Sequence, residues 1–453
     1  MSSKSVFEFA VTSDVESAAN ACRLAMQSYV NRGSDVMPQL KIASTEDDSC
    51  ALAPALLGLM LHGARNSGFT KKKLASYEQA LQLQKAAPNG LTERENLYIS
   101  ALGDAVAGNL DGMVSQLSAI TEHHPDDVFA IALAQGELFW MGQLSKSLEI
   151  SERVRDHWHQ GVPGYAAYLG CRAFDLEEAG RFKEAENCGR ESVDIDPQSI
   201  WAAHAVAHVL YMQGRFREGV EWLESQEMNW EECNQIKFHV WWHKCLFQLD
   251  SGEHDSILET YDKHIRNREH ELTQSMPDLY IDMQNGASLL WRLEQAGIDV
   301  GDRWQEMAEL ASQRLDDLTS PFTSAHFAVI LAAVGDYASC DKLIANMTDY
   351  VKSDDNRTDS LYESFALAAL PSAIGALAHR KGDYKKAESV FSAARSDLWR
   401  MGGSHAQQDV FFQMLFDATL KTKQTNAANT LLREIEHIGF FKPDTRIGYA
   451  IQS

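Results

Sequence analysis

A glycine recurs along this chain where helical runs end, and a small residue follows it five places on. The clearest copy is GRFKEAENCGRESVDIDP, which carries Gly180, Phe182, Ala185 and Pro197. GRFREGVEW repeats the pattern with Gly214, Phe216 and Gly219, and GDYKKAESV repeats it with Gly382, Tyr384 and Ala387. Gly108 reaches Pro125 by the same step of 17 residues that joins Gly180 to Pro197. Glycines 108, 142, 180, 214 and 252 are spaced by 34, 38, 34 and 38 residues. A period of this length, punctuated by turn glycines, predicts helical hairpins in tandem. One such hairpin cannot bury its apolar face alone, so neighbours must stack.

The period and pattern resemble the tetratricopeptide repeat (TPR), a helix–turn–helix unit of about 34 residues. The expected fold is therefore all-α, a TPR-like right-handed α-solenoid of about eight units. Composition agrees: 45% of residues are hydrophobic and only 10 are proline, which favours helices over strands. Residues 1–45 read as an N-terminal cap, with a helix from Asp14 to Arg32, an irregular segment after it and an extended start at Phe7–Thr12. The superhelix is expected over 46–438 and an irregular tail over 439–453. Residues 262–285 lack a turn glycine and read as a long connection that crosses or closes the groove. No linker rich in Gly, Ser or Pro divides the chain, so one continuous superhelix is expected.

The formal charge of −23 argues against nucleic acid and against anionic membranes as partners. Seven scattered cysteines without a CxxC pair point to reduced thiols in a cytoplasm rather than to a disulfide framework. The first residues lack the apolar core of a signal peptide, and the greasy stretch from Ala51 to Leu61 is too short to span a bilayer.

Chemistry concentrates on four histidines. His204 and His208 lie in WAAHAVAHVLYMQG, and His239 and His243 in KFHVWWHKCLFQLDSG. Spacing of i, i+4 puts each pair on one helix face. Counted back from Gly214 the first pair falls at −10 and −6; counted back from Gly252 the second falls at −13 and −9. His326 and Cys171 also fall at −9 from their glycines. These positions on the first helix of a repeat are expected to line the concave side. Three readings are open: packing histidines, an acid/base or ligand-binding pocket, and a divalent-metal site of two HxxxH helices. Trp241 and Trp242 flank the second pair and could stack on a ligand.

Two further tracts qualify. In GGSHAQQDVF, Ser404 is expected to cap a helix whose first turns bear His405, Gln407 and Asp409. His405 and Asp409, one turn apart, could form an orienting pair. Asp278 and Asp282 in PDLYIDMQNG form a second carboxylate pair if that segment is helical. No phosphate-binding glycine loop, nucleophile elbow or HExxH zinc motif occurs.

The tracts HAVAHVLYMQGR, HVWWHKCLFQLDSG and GGSHAQQDVF, together with GFTKKKLASYEQA and ASLLWRLEQAG, resemble the tetratricopeptide repeat protein 38 family from about Leu56 to Leu432. The resemblance implies an α-solenoid and makes the four histidines, the Gly-Gly-Ser tract, Gln407 and Asp409 characteristic. It implies no reaction. The chain departs from the pattern at Cys171 and Arg172, where a histidine–alanine type of sequence is expected, and at Gln408, where the resemblance implies arginine. The expected function is binding of a small molecule or peptide in a His/Trp-rich pocket, with His208, His239, Trp241, Trp242, His326 and Gln407 as lining residues. The alternative is a hydrolase- or lyase-like enzyme, possible with or without metal, using His204, His243 or His405 as general base with Asp282 or Asp409. A homodimer whose partner fills the groove is the third reading.

Overall fold

The structure is a computed structural model that describes residues 5–438 and 441–450. Residues 1–4 of the expected cap and 439–440 and 451–453 of the expected tail lie outside the described residues. Among the described residues no strand forms, and helices follow one another from Glu16–Val30 to Thr425–Ile438. The chain is all-α and TPR-like, built from antiparallel helical hairpins. Tyr165–Glu178 packs on Phe182–Ile195, Glu93–Val106 on Leu110–His123, and Leu370–Arg380 on Tyr384–Ala394. No helix among the described residues is long and apolar enough to cross a membrane.

The repeated glycine has one physical job. Gly180 takes φ +73° and Gly214 φ +70°, the left-handed region that a Cβ disfavours. The next N–H then reaches back over the helix end: Arg181 donates to the Leu176 carbonyl at 2.8 Å and Arg215 to Leu210 at 2.9 Å. The same bond follows Gly252, Gly335 and Gly382. This is the Schellman closure, and it satisfies carbonyls that the helix itself leaves open. The small residue five places on is a packing position. Ala185 and Ala387 are fully buried, and a Cβ on Gly219 would come within 2.3 Å of the Phe247 ring.

The chain forms two compact units. The first comprises residues up to Phe139, Leu144–Val206 and Met228–Ile236; the second comprises Trp140–Gln143, Ala207–Glu227 and Lys237 onward. The helix Ile200–Met212 contributes residues to both.

In the first unit, the segment expected to be irregular after Arg32 is instead the helix Val36–Glu46, packed on Glu16–Val30. Its Pro38 hid it from the pattern, yet proline in a first turn removes no helical hydrogen bond. Phe7–Thr12 has no regular structure; Thr12 donates from its N–H and hydroxyl to Glu95 at 2.8 and 2.6 Å. The unit buries two polar networks. Asp175 accepts hydrogen bonds from Gln135, Ser147 and Ser151 at 2.7–2.8 Å, yet burial still pushes its carboxyl up to about 6. Glu137 meets Arg65 at 2.9 Å and His62 at 3.0 Å. Burial would raise its carboxyl, but these two neighbours hold it down at about 2.

In the second unit the stretch 262–285 resolves into a π-turn Tyr261–Ile265, a short helix Glu271–Ser275 and the start of the helix Tyr280–Gln295. Arg266 pins it by donating to the Pro277 carbonyl at 3.1 Å, and Arg314 by pairing with Asp278 at 3.1 Å. Asp278 is thus outside the helix and engaged with Arg314. The segment 441–450 makes two 3-10 turns, Pro443–Thr445 and Ile447–Tyr449, and drives Arg446 into the core. Arg446 lies 2.9 Å from Asp409 and over the rings of Tyr211 and Phe441.

Candidate functional site

The helix Ile236–Ser251 is apolar enough to be buried on most sides, and its histidines are buried with it. Spacing of four residues puts His239 and His243 on one face, and their Nε2 atoms lie 3.2 Å apart. His208, on Ile200–Met212, brings its ring to 4.3 Å from that of His243. One ring nitrogen from each of the three lies within 4.8 Å of the others. His208 and His243 are fully buried and His239 is 3% exposed.

The next hairpin orients this cluster. Asn285, on Tyr280–Gln295, accepts a hydrogen bond from His239 Nδ1 at 2.9 Å. With the proton on Nδ1, the His239 Nε2 lone pair faces His243, whose Nε2–H donates to it. Burial lowers the pKa of His239 to about 3; the Asn285 bond opposes that shift and His208 adds to it. The imidazole is therefore neutral at any ordinary pH.

Trp242 closes one side. Its ring stacks on His239 at 5.1 Å with planes 16° apart, and it meets His243 edge-on at 4.8 Å. Two buried polar atoms beside the cluster have no hydrogen-bond partner: Trp242 Nε1 and Asn285 Nδ2. Gln284, one residue along the helix and so turned about 100° from Asn285, donates from its amide nitrogen to Thr323 at 2.9 Å. Each orphaned group costs on the order of 1–3 kcal/mol, so their concentration beside three imidazoles calls for an explanation.

His204 belongs to the first unit, stacked on Trp201 at 4.8 Å and on Phe174 at 5.6 Å. Trp241 stacks on His264 at 4.0 Å, with Lys244 over its ring; one residue along a helix is a turn of about 100°, which separates it from Trp242. His326 donates from Nδ1 to the carbonyl of Phe322 at 2.8 Å and packs between Phe322 and Phe411. Burial lowers its pKa to about 4.

Ser404 and Gln407 form a reciprocal capping box for the helix His405–Lys421, so Gln407 holds a helix end. His405 is that helix's first residue and is half-buried. Asp409 accepts from the Tyr449 hydroxyl at 2.6 Å and from Gln413 at 2.7 Å, and pairs with Arg446 at 2.9 Å and Arg292 at 3.7 Å. That carboxylate is a structural charge centre rather than a partner for His405. Asp282 is buried on Tyr280–Gln295, three residues before Asn285 and so on the same face. Gln408, at the position where the resemblance implies arginine, donates to the carbonyls of Gly402 and Gly403.

Asn285, Gln284 and Arg446 were not among the sequence candidates. The only signal for the first two was a Gln-Asn pair inside a helix that is buried over most of its length. A cleft of about 390 Å³ lies elsewhere in the second unit, between Tyr384–Ala394, His405–Lys421 and Thr425–Ile438, with Glu388, Ser392, Leu415 and Asn426 among its walls. None of the sequence candidates lines it.

No protein-family model matches the sequence. Similar solved structures include Naa15/Naa10 bound to HypK-THB, at 14% identity and a TM-score of 0.27, covering 92% of this chain and 62% of that one. The TPR domain of P58(IPK) is similar at 12% identity and a TM-score of 0.19, covering 74% of this chain and 99% of that one. This chain thus spans about three fifths of the length of the Naa15/Naa10 chain it resembles.

Proposed function

We propose that this chain is a TPR-type binding protein of the tetratricopeptide repeat protein 38 kind, and that the second unit takes a small polar ligand at His208, His239, His243, Trp242 and Asn285. The observation that carries this reading is the pair of orphaned polar atoms on Trp242 and Asn285 beside three converging imidazoles. A buried donor without an acceptor is costly, and a ligand that supplies the acceptor returns that cost as affinity. Burial of the site favours a small ligand over a peptide, because a peptide needs an open groove. A histidine held neutral down to about pH 3 is a ligand or hydrogen-bonding group, and a poor general base near neutral pH. We place the chain in a reducing cytoplasm, in keeping with seven free, buried cysteines.

Native mass spectrometry of the full chain, compared with the denatured mass, tests the reading. A retained small species, lost in His243→Ala and kept in His326→Ala, is the expected result. A native mass equal to the bare chain, with no small-molecule or ion adduct in any preparation, would refute it.

A further inference from the structure

The geometry points to a divalent transition-metal site, Zn²⁺ by preference, held by His208, His239 and His243. This inference rests on the ligand-binding reading above and names the ligand's chemistry. Three features carry it.

The first is convergence. Zn–N bonds of about 2.0–2.1 Å at tetrahedral angles put two ligand nitrogens roughly 3.3–3.4 Å apart. His239 Nε2 and His243 Nε2 are already 3.2 Å apart. The third nitrogen lies within 4.8 Å of both, so His208 closes the set by side-chain rotation. The arrangement uses an i, i+4 pair on one helix and a single histidine from the preceding hairpin, so the backbone of two hairpins fixes the positions.

The second is orientation from outside the cluster. Metal-ligating histidines almost always donate their other ring N–H to a carbonyl or carboxylate, which fixes the tautomer. Asn285 Oδ1 does this for His239 at 2.9 Å. The Nε2 lone pair is thereby aimed at the point where the other rings meet. In the metal-free protein the His243 Nε2 proton bridges the two rings. On binding, that proton moves to Nδ1 of the same neutral ring, and the ion takes its place between the two Nε2 atoms. No net charge need leave the rings.

The third is the surroundings. Imidazole is a borderline donor that suits Zn²⁺, Cu²⁺ and Ni²⁺ and not Mg²⁺ or Ca²⁺. Zinc takes four ligands, and water is one that can complete a set of three imidazoles. The amide Nδ2 of Asn285 and the indole N–H of Trp242 are buried donors without a partner, and an oxygen on the ion is an acceptor for such groups. A buried dication needs negative charge nearby; Asp282, 1% exposed, is a buried carboxylate three residues before Asn285 on the same helix.

The experiment uses the full chain purified without an affinity tag. Its metal content is measured by elemental analysis, the chain is stripped with a chelator, and the stripped protein is titrated with Zn²⁺ alone and with Co²⁺ as a visible-absorbing substitute. We expect close to one equivalent bound per chain, and a Co²⁺ ligand-field spectrum of low-coordinate nitrogen type. His208→Ala and His243→Ala should abolish uptake, and His326→Ala, another buried histidine, should leave it unchanged. Asn285→Ala leaves all three ligands in place and should weaken binding by about 10–100-fold. It guards against the chance that a histidine variant fails to fold. Absence of Zn²⁺ and Co²⁺ uptake by the stripped wild type overturns the inference, as does uptake indifferent to His208→Ala and His243→Ala. A retained organic adduct without metal sinks the metal site and leaves the binding reading standing; no adduct of any kind sinks both.

Discussion

Arg446 offers the sharpest test of how the second unit is held together. Its guanidinium is fully buried, 2.9 Å from Asp409, over the ring of Tyr211 at 4.2 Å and beside the sulfur of Met212. Removing one partner of such a buried pair costs about 3–5 kcal/mol, because the other charge is left uncompensated. The structure makes the two single replacements unequal. Arg446→Met leaves Asp409 with Arg292, the Tyr449 hydroxyl and Gln413, so the low end, about 3 kcal/mol, applies. Asp409→Asn takes the paired carboxylate from two buried guanidiniums, leaving Arg292 with none and Arg446 with only the longer-range charge of Asp250, so the high end, about 5 kcal/mol, applies. Native-state hydrogen exchange on the helix His405–Lys421 reads this locally. At about 1.4 kcal/mol per decade, its slowest amides should speed up by roughly two decades in Arg446→Met and between three and four in Asp409→Asn. An Arg446→Met effect under about half a decade, or larger than that of Asp409→Asn, would show that the charge argument is wrong.

Other expectations follow from buried titrations and close packing. Asp175 has a folded pKa raised to about 6, so the stability it permits at low pH is lost as pH rises from about 4 to 6. Asp175→Asn should flatten that slope and stabilise the fold above pH 6 by about 3 kcal/mol, measured by urea unfolding at several pH values. His239 is shifted the opposite way for a base: its folded pKa of about 3 means stability is intact above about 6.5 and falls by about 1.4 kcal/mol per unit as pH drops from there towards 3. His239→Gln should remove that portion of the acid sensitivity; an unchanged acid limb would count against a neutral buried ring. Gly219→Ala should destabilise by about 1–3 kcal/mol through its clash with Phe247, although alanine is intrinsically the better helix former. A gain in thermal midpoint would contradict the packing explanation.

The hairpins were legible because one residue both ends a helix and recurs. A left-handed glycine leaves a spacing that survives in the letters, and the same reasoning located Gly180, Gly214 and Gly382 at real helix ends. The histidine cluster was half legible. Helical spacing puts His239 with His243, and repeat register groups His208 with them as an expectation, but only packing shows which rings meet and how closely. Spacing alone does not say which of Trp241 and Trp242 faces the rings, since neighbours on a helix point about 100° apart. Asn285 carried no motif, because a buried amide that orients another side chain is defined by what it touches. Arg446 was hidden for a different reason: it sits between two 3-10 turns with no periodicity, so nothing in the local pattern announces a buried cation. Asp409, by contrast, was noticed for its position one turn from His405, and its carboxylate is committed to Arg446 and Tyr449 instead.

The interleaving of the two units carries a consequence for how the molecule can be taken apart. The second borrows the four residues Trp140–Gln143 from upstream, and the first reclaims Met228–Ile236 from downstream. The backbone of Trp140 sits so near Gly402 that a methyl group there would collide with it at 2.7 Å. No single cut in the chain therefore releases either unit whole, and excising residues from Lys237 onward yields a fragment missing part of its own interior.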